Sequence, residues 1–317
     1  MLHEPPAPTC RPVLLSTGLV LWCGSNRVRI GDGTRAHFLD GVSSQAMTWL
    51  HALDGRRTWK VIGAEQPAAD ALRLFRAAWQ AGCIDDANSR PGTWWRTGGY
   101  ARQGEPGRRA LLHWLGSAAA AHHLLVRRYV RRIAIVGDGP LARQALSAAR
   151  AAQLQVAWVR PIDAPLPVDT ACCVIADGAH PDLAGRVDLP ACQVPHLTLR
   201  AFGVRAVVGP LVIPGQTSCL ACAHLHHLDT TPGWSQVALQ LMALTQDDRA
   251  ECFDPVTARL AAVQAILLAR SVVDSALPGG SDLGDRAYEW TPESLIPKVH
   301  ARASHPLCGC RWDAGAA

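Results

Sequence analysis

The sequence predicts an α/β protein in two parts: a small winged helix-turn-helix, followed by a Rossmann-like domain with a structural zinc site. Three observations support this. A continuous apolar strand at Arg132–Val136 runs into a glycine turn and a helix. Short strands and then three helices fill the first third of the chain. Two cysteine pairs lie far apart in the last third. With 317 residues, the chain is long enough for two domains.

The composition excludes some classes of protein. Hydrophobic residues make up 49% of the chain and charged residues 18%, so it can build a sizeable core and is not globally disordered. The net charge of +5 does not by itself indicate a nucleic-acid or membrane partner. Lys60 and Lys298 are the only lysines, so any mechanism that needs a lysine has two candidates.

The chain start and the hydropathy pattern predict a cytoplasmic protein that contacts no membrane. The first residues are rich in proline and lack the apolar segment of a signal peptide. No uninterrupted apolar run reaches the roughly 18 residues that a membrane span needs. In a cytoplasmic protein, the 11 cysteines indicate metal binding or burial rather than disulfides.

The N-terminal third alternates short apolar segments with turn residues. Strands are predicted at 19–22, 28–30 and 36–39, with hairpin turns at 24–26 and 31–33. Ser43 is a typical N-cap for a helix that runs to about Leu53. Further helices are predicted at 58–64 and 68–82. The last of these has an apolar stripe, made of Ala71, Leu72, Phe75, Ala78 and Trp79.

Strands followed by three helices are typical of a winged helix-turn-helix, which can have three roles. It can place its last helix in DNA, serve as a structural module, or bind an extended peptide by strand addition. The last helix offers only Arg73 and Arg76 as basic residues, so nucleic acid is the least favoured partner. Peptide capture by strand addition and a structural role both remain open at this point.

We place the domain boundaries by composition. Residues 1–85 form the winged-helix domain. Residues 86–130 form a linker rich in Gly, Arg, Pro and Ser, which continues into a bridging helix at 109–128. Residues 131–317 form the Rossmann-like domain.

The Rossmann-like domain opens with a nucleotide-binding βα unit. Its turn contains Gly137 and Gly139 and leads into a helix to about Gln153, with backbone amides directed toward a phosphate position. Further strands at 155–159 and 171–176 predict a doubly wound sheet. The glycine turn alone is weak evidence for a nucleotide site, since Asp138 places negative charge where the phosphates would lie. Arg160 could accept the 2′-phosphate of NADP, but no neighbouring residues indicate hydride transfer.

Two cysteine pairs predict a closed tetrahedral zinc site. Cys219 and Cys222 form a C-x2-C turn, and Cys308 and Cys310 lie together far downstream. The alternative is four unrelated buried thiols. The histidines that could compete as ligands are His224, His226, His227 and His305, the first three of which we expect on a helix surface.

Three other cysteines have different interpretations. Cys252 lies between two helical segments, but Glu251 and Asp254 flank it and disfavour a reactive thiolate. Cys172 and Cys173 fall within a predicted buried strand and are expected in the core.

The order of these motifs resembles a known family. The glycine turn is followed by Val174-Ile175-Ala176-Asp177, Gly209-Pro210, Pro214-Gly215 before the C-x2-C pair, a long helix at 255–277, and the final Cys308-Gly309-Cys310. This order resembles the ThiF/MoeB superfamily of ubiquitin-activating-like adenylyltransferases. It is most similar to the ThiF-like component of thiazole/oxazole-modified microcin (TOMM) cyclodehydratases, in which a winged-helix recognition domain precedes the adenylyltransferase-like domain.

The resemblance implies an ATP and Mg²⁺ site, only part of which has a match here. Asp177 matches the acidic residue that ends a later strand in active members. The ribose position falls at 160–162, and segment 164–170 lacks the expected Arg and Lys. We therefore expect adenylation by this chain alone to be lost.

The resemblance implies a leader-peptide-binding scaffold. It also implies that the peptide adds as a strand against 28–30, with helix 68–82 as the other wall of the groove. The resemblance implies that it presents a ribosomal precursor peptide to an ATP-using YcaO-type partner, and that it forms a homodimer. Two alternatives remain: an active adenylyltransferase that activates the C-terminal carboxylate of a ubiquitin-like or sulfur-carrier protein, and a DNA-binding regulator.

Overall fold

In this computed structural model, the described residues are 6–15, 19–31, 36–89, 111, 118–160, 163–176, 193–244, 253–274 and 284–310. The chain divides into two compact units, Met1–Val126 and Arg127–Ala317. Each is described by itself.

Within residues 6–89, leaving out the gaps at 16–18 and 32–35, the first unit has five short strands and three helices. The strands are β1 Pro12–Leu14, β2 Val20–Trp22, β3 Arg27–Ile30, β4 His37–Asp40 and β5 Ile84–Asp86. The helices are α1 Ser44–His51, α2 Trp59–Ala64 and α3 Ala69–Gln80; α4, Ala118–Val130, contains the boundary between the units. A 3-10 turn at Ala87–Ser89 follows β5.

The predicted hairpins form a three-stranded antiparallel sheet in the order β2-β3-β4. This order corrects one prediction. Strand 28–30 lies within β3, the central strand, which pairs with a neighbour on each side. Its backbone groups are therefore used within the sheet, and a peptide cannot add to it.

A second small sheet in the first unit was not predicted. β1 pairs antiparallel with β5, with Pro12 opposite Asp86 and Leu14 opposite Ile84. The predicted linker therefore begins inside a strand, because Asp85 and Asp86 belong to β5. Such long-range pairing leaves little trace in so short a segment.

The three helices bury a common core against the three-stranded sheet. Ser43 caps α1 as predicted, its Oγ accepting from the Ala46 amide at 3.1 Å. On α3 the buried residues are Ala71, Leu74, Phe75 and Ala78, so Leu74 occupies the place predicted for Leu72. Phe75 is stacked between Trp59 and Trp79 in the same core.

The second unit is built on a seven-stranded mixed sheet. Its strands are β6 Arg132–Val136, β7 Gln155–Val159, β8 Thr170–Ile175, β9 His196–Phe202, β10 Arg205–Val212, β11 Arg286–Trp290 and β12 Lys298–Ala301. Their order is β12-β11-β10-β9-β8-β6-β7. Strands β6 to β9 are parallel, as the doubly wound prediction requires. The antiparallel half, from β9 to β12, was not predicted.

In the described part of this unit, four helices accompany the sheet: α5 Pro140–Ala151, α6 Leu220–Thr230, α7 Trp234–Leu244 and α8 Pro255–Asp274. Alternate residues of β6 enter two separate cores, because successive side chains of a strand point to opposite faces. Ile133 and Ile135 pack in the core that includes α5 and α8. Ala134 and Val136 pack in the core that includes Leu220 of α6. Both faces of the sheet are thus covered, and Cys172 and Cys173 are buried in β8 as predicted.

Among the described residues, α8 alone is long and apolar enough to pass for a membrane span by length and composition. Half of it is buried within the protein, as in a core helix. Its inward residues include Ala258, Ala261, Ala262 and Ala265, which contribute to the core shared with α5.

Candidate functional site

The structure brings the four predicted zinc ligands together. The Sγ atoms of Cys219, Cys222, Cys308 and Cys310 all lie within 4.8 Å of one another. Cys219 Sγ is 3.5 Å from Cys308 Sγ and 3.8 Å from Cys222 Sγ. Cys222 Sγ is 3.5 Å from Cys310 Sγ. These separations exceed the roughly 2.05 Å of a disulfide, so the cysteines are free thiols.

The spacing of the sulfur atoms fits a tetrahedral metal ion. With a metal–sulfur bond of about 2.3 Å, the sulfur atoms of a tetrahedral site are about 3.8 Å apart. The observed distances lie around this value. Four thiols without another ligand type is a donor set typical of structural zinc. The residues present therefore fit a zinc ion.

A turn and a helix start position the first two thiols. The carbonyl of Ile213 accepts from the amides of Gln216 and Thr217, which closes the turn after β10. Gly215 has a φ of 75°, in the left-handed region that glycine tolerates best. Cys219 is then the N-cap of α6, and Cys222 lies in its first turn. The positive end of the helix dipole favours negative charge at both thiols.

The surroundings shift the pKa values of three of the thiols in different directions. Burial raises the pKa of Cys219 above its ordinary value. Burial also raises the pKa of Cys310, to about 11. Burial acts the same way on Cys222, but hydrogen bonds from the backbone of His305 and Cys219 and from the other thiols lower its pKa overall. Of these three thiols, Cys222 is therefore the one that ionises most readily.

His305 anchors the loop that carries the other two thiols. Its Nδ1 accepts from the Leu307 amide at 3.1 Å, so the proton is on Nε2, which donates to Asp229 Oδ2 at 2.8 Å. The Cys308 amide donates to the His305 carbonyl at 3.0 Å. The ring also packs edge-on against His226, with centroids 4.8 Å apart. His305 thus joins the loop to α6, a role that the sequence did not indicate.

The histidines of α6 have partners other than the thiol cluster. His226 Nε2 donates to the Ala303 carbonyl at 3.0 Å, and His224 Nδ1 accepts from Trp234 Nε1 at 3.2 Å. His227 stacks on Trp234. Among the described residues, the candidate metal group contains only the four cysteines.

The glycine turn lies at the carboxyl end of β6, next to β8. Gly137 has a φ of 124°, and a Cβ there would lie 2.3 Å from the Ala176 carbonyl oxygen. Only glycine fits this position. Gly139 is the N-cap of α5, with Pro140 as its first residue. β6 and β8 are adjacent while β7 lies on the other side of β6, so the turn is at the topological switch point, where α/β sheets bind ligands.

Three side chains occupy the corner beside this turn. Trp158 Nε1 donates to the Gly137 carbonyl at 2.7 Å. The Arg160 guanidinium lies 4.5 Å from the centre of the Trp158 ring, and its Nε is 3.7 Å from Asp138 Oδ1. Arg160 and Asp138 are mostly exposed, so this ion pair contributes little to stability. It does place a cation, rather than the acidic ribose ligand of a nucleotide site, at the end of β7.

The connection from β7 to β8 is short. Residues 163–169 form turns without a helix, and β7 is an edge strand of the sheet. This agrees with the shortened segment seen in the sequence. Asp177 and Cys252 lie outside the described residues.

Solved structures with the same fold place these features in context. A structure of the heterocyclase TruD matches with a TM-score of 0.57 at 14% identity, covering 95% of this chain and 42% of that one. A heterocyclase in complex with substrate and cofactor matches with a TM-score of 0.60 at 15% identity, covering 95% of this chain and 39% of that one. Escherichia coli MccB matches with a TM-score of 0.58 at 12% identity, covering 95% of this chain and 96% of MccB.

These likenesses show the fold and not the specific family. This chain spans less than half of the heterocyclase chains but almost all of MccB. No protein-family model and no curated protein sequence matches it.

Proposed function

We propose that this chain is a ThiF-like scaffold that binds the leader of a ribosomal precursor peptide and presents that peptide to a YcaO-type partner. The observation that carries the proposal is that the fold match extends over 95% of the chain, so it includes the small N-terminal sheet and helices as well as the large sheet. Two of the matched structures are complexes: one is a heterocyclase with substrate and cofactor, and another is MccB with MccA.

The free edge of β4 is the proposed peptide site, in place of the central strand. Among the described strands, β4 pairs with β3 alone, and Arg73 of α3 lies along its other side. Arg73 Nη2 donates to the carbonyls of Asp40 and Gly41, each at 2.8 Å. The Asp40 carbonyl therefore points away from β3. Because backbone direction alternates along a strand, Phe38 presents its amide and carbonyl to the same free edge.

Side chains along this edge suit an extended peptide. Phe38 is 54% exposed, and the Arg27 guanidinium lies over its ring at 4.9 Å. Arg27 also pairs with Asp40, with Nε 3.3 Å from Oδ1. An added strand would gain main-chain hydrogen bonds from β4 and an apolar contact with Phe38. Arg73 is engaged with β4, which also disfavours α3 as a DNA-reading helix.

The corner at the glycine turn supports the scaffold role over adenylation. Charge that develops on a transferred phosphoryl group needs cations placed to receive it. At the described carboxyl ends of β6 and β7, Arg160 is stacked on Trp158 and paired with Asp138, and Arg143 Nη1 donates to the Asp138 carbonyl. In this proposal, the YcaO-type partner supplies ATP and Mg²⁺ chemistry.

Zinc has a structural role in the proposal. The four thiols leave no position open for substrate, so a bound ion would hold the loop at 303–310 against α6. The scaffold would act in the cytoplasm as a homodimer, without membrane or nucleic-acid contact.

An active adenylyltransferase is the second candidate. The glycine turn is kept at the switch point, and one of the matched structures is MccB with AMPCPP and MccA. In that case, the chain would activate the carboxylate of a ubiquitin-like or sulfur-carrier protein.

Two assays separate the candidates. The first measures ATP–pyrophosphate exchange by the purified chain with a carboxylate-ended carrier protein. The second measures fluorescence anisotropy of a labelled synthetic peptide taken from a short open reading frame beside the gene. The scaffold predicts peptide binding without exchange. ATP–pyrophosphate exchange well above the level given by the Gly137→Val variant would overturn the scaffold proposal.

A further inference from the structure

The side of the large sheet on which α6 lies carries charged side chains in its antiparallel half. Successive residues of a strand point to opposite faces. Leu199 of β9 packs in the core with α8, so its neighbour Arg200 lies on the opposite face. His196 also lies there, because its cross-strand partner Val212 packs with Leu220 of α6. Arg200 is therefore on the α6 side of the sheet.

Arg302 reaches the same side of the sheet from β12. Trp290 of β11 packs against the core with α8, so its neighbour Glu289 lies on the α6 side. His300 Nε2 is 2.9 Å from Glu289 Oε2 and lies on that side as well. The Arg302 amide donates to the Asp285 carbonyl at 2.7 Å, which extends the pairing of β12 with β11 by one residue. Because Arg302 is two residues beyond His300, its side chain is also on the α6 side.

Helix α6 adds an imidazole to the two arginines. The His227 ring stacks on Trp234, with centroids 4.3 Å apart. His226 Nε2 donates to the carbonyl of the residue after Arg302 at 3.0 Å, which holds that segment against the helix. Burial lowers the pKa of His227, and the positive charges of Arg302 and Arg200 lower it further. The two arginines and this histidine, each half-buried, form the arginine–histidine cluster: Arg200, His227 and Arg302.

Three carboxylates on this side of the sheet are engaged by other groups. Their contacts are Glu289 with Arg205 and His300 at 2.9 Å each, Asp285 with the Ser218 amide at 2.6 Å, and Asp229 of α6 with His305 at 2.8 Å. In the described part of the chain, Arg302 forms no ion pair. Like charges that are held together in partial burial disfavour one another, so an anion from outside the chain would stabilise the cluster.

We infer that the arginine–histidine cluster binds a phosphate group, either free inorganic phosphate or the end group of a small phosphate monoester. Each guanidinium presents a planar fork of N–H donors that matches phosphate oxygens. Two guanidinium charges balance the charge of about −2 that a phosphate group carries near neutral pH, whereas a single carboxylate would balance only one of them. A neutral His227 ring adds a polar nitrogen without adding charge. Partial burial strengthens each attraction by lowering the effective dielectric constant.

Isothermal titration calorimetry of the full chain with inorganic phosphate, at a fixed concentration of sodium chloride, tests the site. The wild type should bind phosphate with a Kd of about 1 mM or tighter. Arg200→Gln and Arg302→Gln should each weaken binding about tenfold or more, because each removes a charge-assisted contact. Arg205→Gln is the matched control on the same side of the sheet, where Arg205 pairs with Glu289, and its affinity should stay within about twofold of the wild type.

Two further titrants define the ligand. Glycerol 3-phosphate distinguishes the sources of the phosphate group: binding of both titrants assigns the end group of a monoester, and binding of inorganic phosphate alone assigns the free ion. Acetate carries one negative charge and should bind about tenfold more weakly or less. An affinity for acetate equal to that for phosphate would overturn the assignment to phosphate.

Circular dichroism checks that each variant is folded. If a glutamine variant is unfolded, Arg302→Lys replaces it; lysine keeps the charge but lacks the planar fork, so phosphate binding should still weaken. A folded wild type that does not bind phosphate overturns the inference. Arginine variants that bind phosphate as well as Arg205→Gln does would place the ion elsewhere and also overturn it. The readout is separate from peptide binding and from pyrophosphate exchange, so each proposal can fail alone.

Discussion

His305 and Asp229 join the C-terminal cysteine loop to helix α6 through a hydrogen bond of 2.8 Å between Nε2 and Oδ2. The histidine side chain is 4% exposed and the aspartate side chain is 62% exposed. The contact is therefore asymmetric: one partner is embedded in the loop, while the other lies on the surface. The two residues are 76 positions apart in the chain, so the contact helps to close a large loop.

Replacement of His305 should destabilise the protein more than replacement of its partner. His305→Ala leaves the Leu307 amide without its acceptor and removes a buried ring, so we expect a loss of about 1–3 kcal/mol in the free energy of unfolding. Asp229→Asn keeps a group that can accept from Nε2 and should cost less than about 1 kcal/mol. Urea unfolding measures both. Equal losses in the two variants would contradict the anchoring role of the histidine.

Metal analysis tests the thiol cluster. The purified protein should contain about one equivalent of zinc. Cys219→Ser and Cys308→Ser should each lose most of that zinc and much of the thermal stability, because metal binding is coupled to folding. Cys23→Ser is the control, since Cys23 is exposed and in the first unit, outside the cluster. Folded wild-type protein with less than about half an equivalent would rule out the site.

Proline substitution at the sheet edges tests the peptide groove. Phe38→Pro removes an amide that points to the free edge of β4, which an edge strand tolerates without losing its pairing with β3. We expect peptide affinity to fall about tenfold or more. Trp22→Pro is the matched control on β2, the other edge strand: the Leu19 carbonyl accepts from the Gly31 amide, so alternation directs the Trp22 amide away from β3. Anisotropy titrations that rank the two variants in the opposite order would place the peptide on the β2 edge.

Two glycines offer a matched test of the turn at the switch point. Gly137→Ala forces a side chain into the Ala176 carbonyl at a φ of 124° and should cost more than about 3 kcal/mol of stability. Gly203→Ala has a φ of 57° but nothing within 4 Å of the new Cβ, so only backbone strain of about 1–2 kcal/mol is expected. Chemical denaturation gives both values. A loss at Gly137 no larger than that at Gly203 would show that the turn can relax.

Buried His196 should make stability depend on pH. Burial lowers the pKa of His196 in the folded state, and its Nδ1 donates to the Val194 carbonyl at 2.8 Å. Above the unfolded pKa of about 6.5, His196 is neutral in both the folded and the unfolded state, so the free energy of unfolding is not reduced by its titration. As the pH falls below that value, the unfolded chain gains a proton that the folded chain does not. The free energy of unfolding should then fall by up to about 1.4 kcal/mol per pH unit, until the folded pKa is reached.

His196→Gln isolates this contribution, because glutamine keeps a donor for Val194 but does not titrate. His227, whose pKa is also lowered mainly by burial, contributes to the slope of both proteins and cancels in their difference. Unfolding free energies measured between pH 5 and pH 8 should therefore diverge only at the acidic end. Parallel curves would show that burial does not lower the pKa of His196 in the folded state.

Local patterns in the sequence predicted much of the fold. The strand–glycine–helix unit at Arg132–Val136 and the N-cap at Ser43 depend on neighbouring residues, and both are observed. The three-residue strands β1 and β5 could not be found in this way, because each pairs with a segment 70 or more residues away. For the same reason, the predicted peptide site on strand 28–30 was wrong. Alternation shows that a segment is a strand, but the sheet order decides which strand has a free edge.

The candidate metal site followed from spacing, since four cysteines in two pairs have few other uses. The anchoring by His305 did not follow. The sequence offered His305 only as a possible ligand, and its contact with Asp229 depends on how the loop folds back onto α6. The acidic residue expected at the nucleotide position, Asp177, lies outside the described residues and remains a prediction.

The distance between the cysteine pairs also determines when the site can form during synthesis. Cys219 and Cys308 are 89 positions apart, and β11 and β12 lie between them. Until the segment with Cys308 and Cys310 has left the ribosome, Cys219 and Cys222 at the start of α6 lack the other two cysteines of the site. The earlier strands can pair as they emerge, because domains fold from the N-terminal side during translation. We expect the cysteine site to be among the last parts of the second unit to form, so an interrupted chain would expose two thiols that the complete chain keeps together.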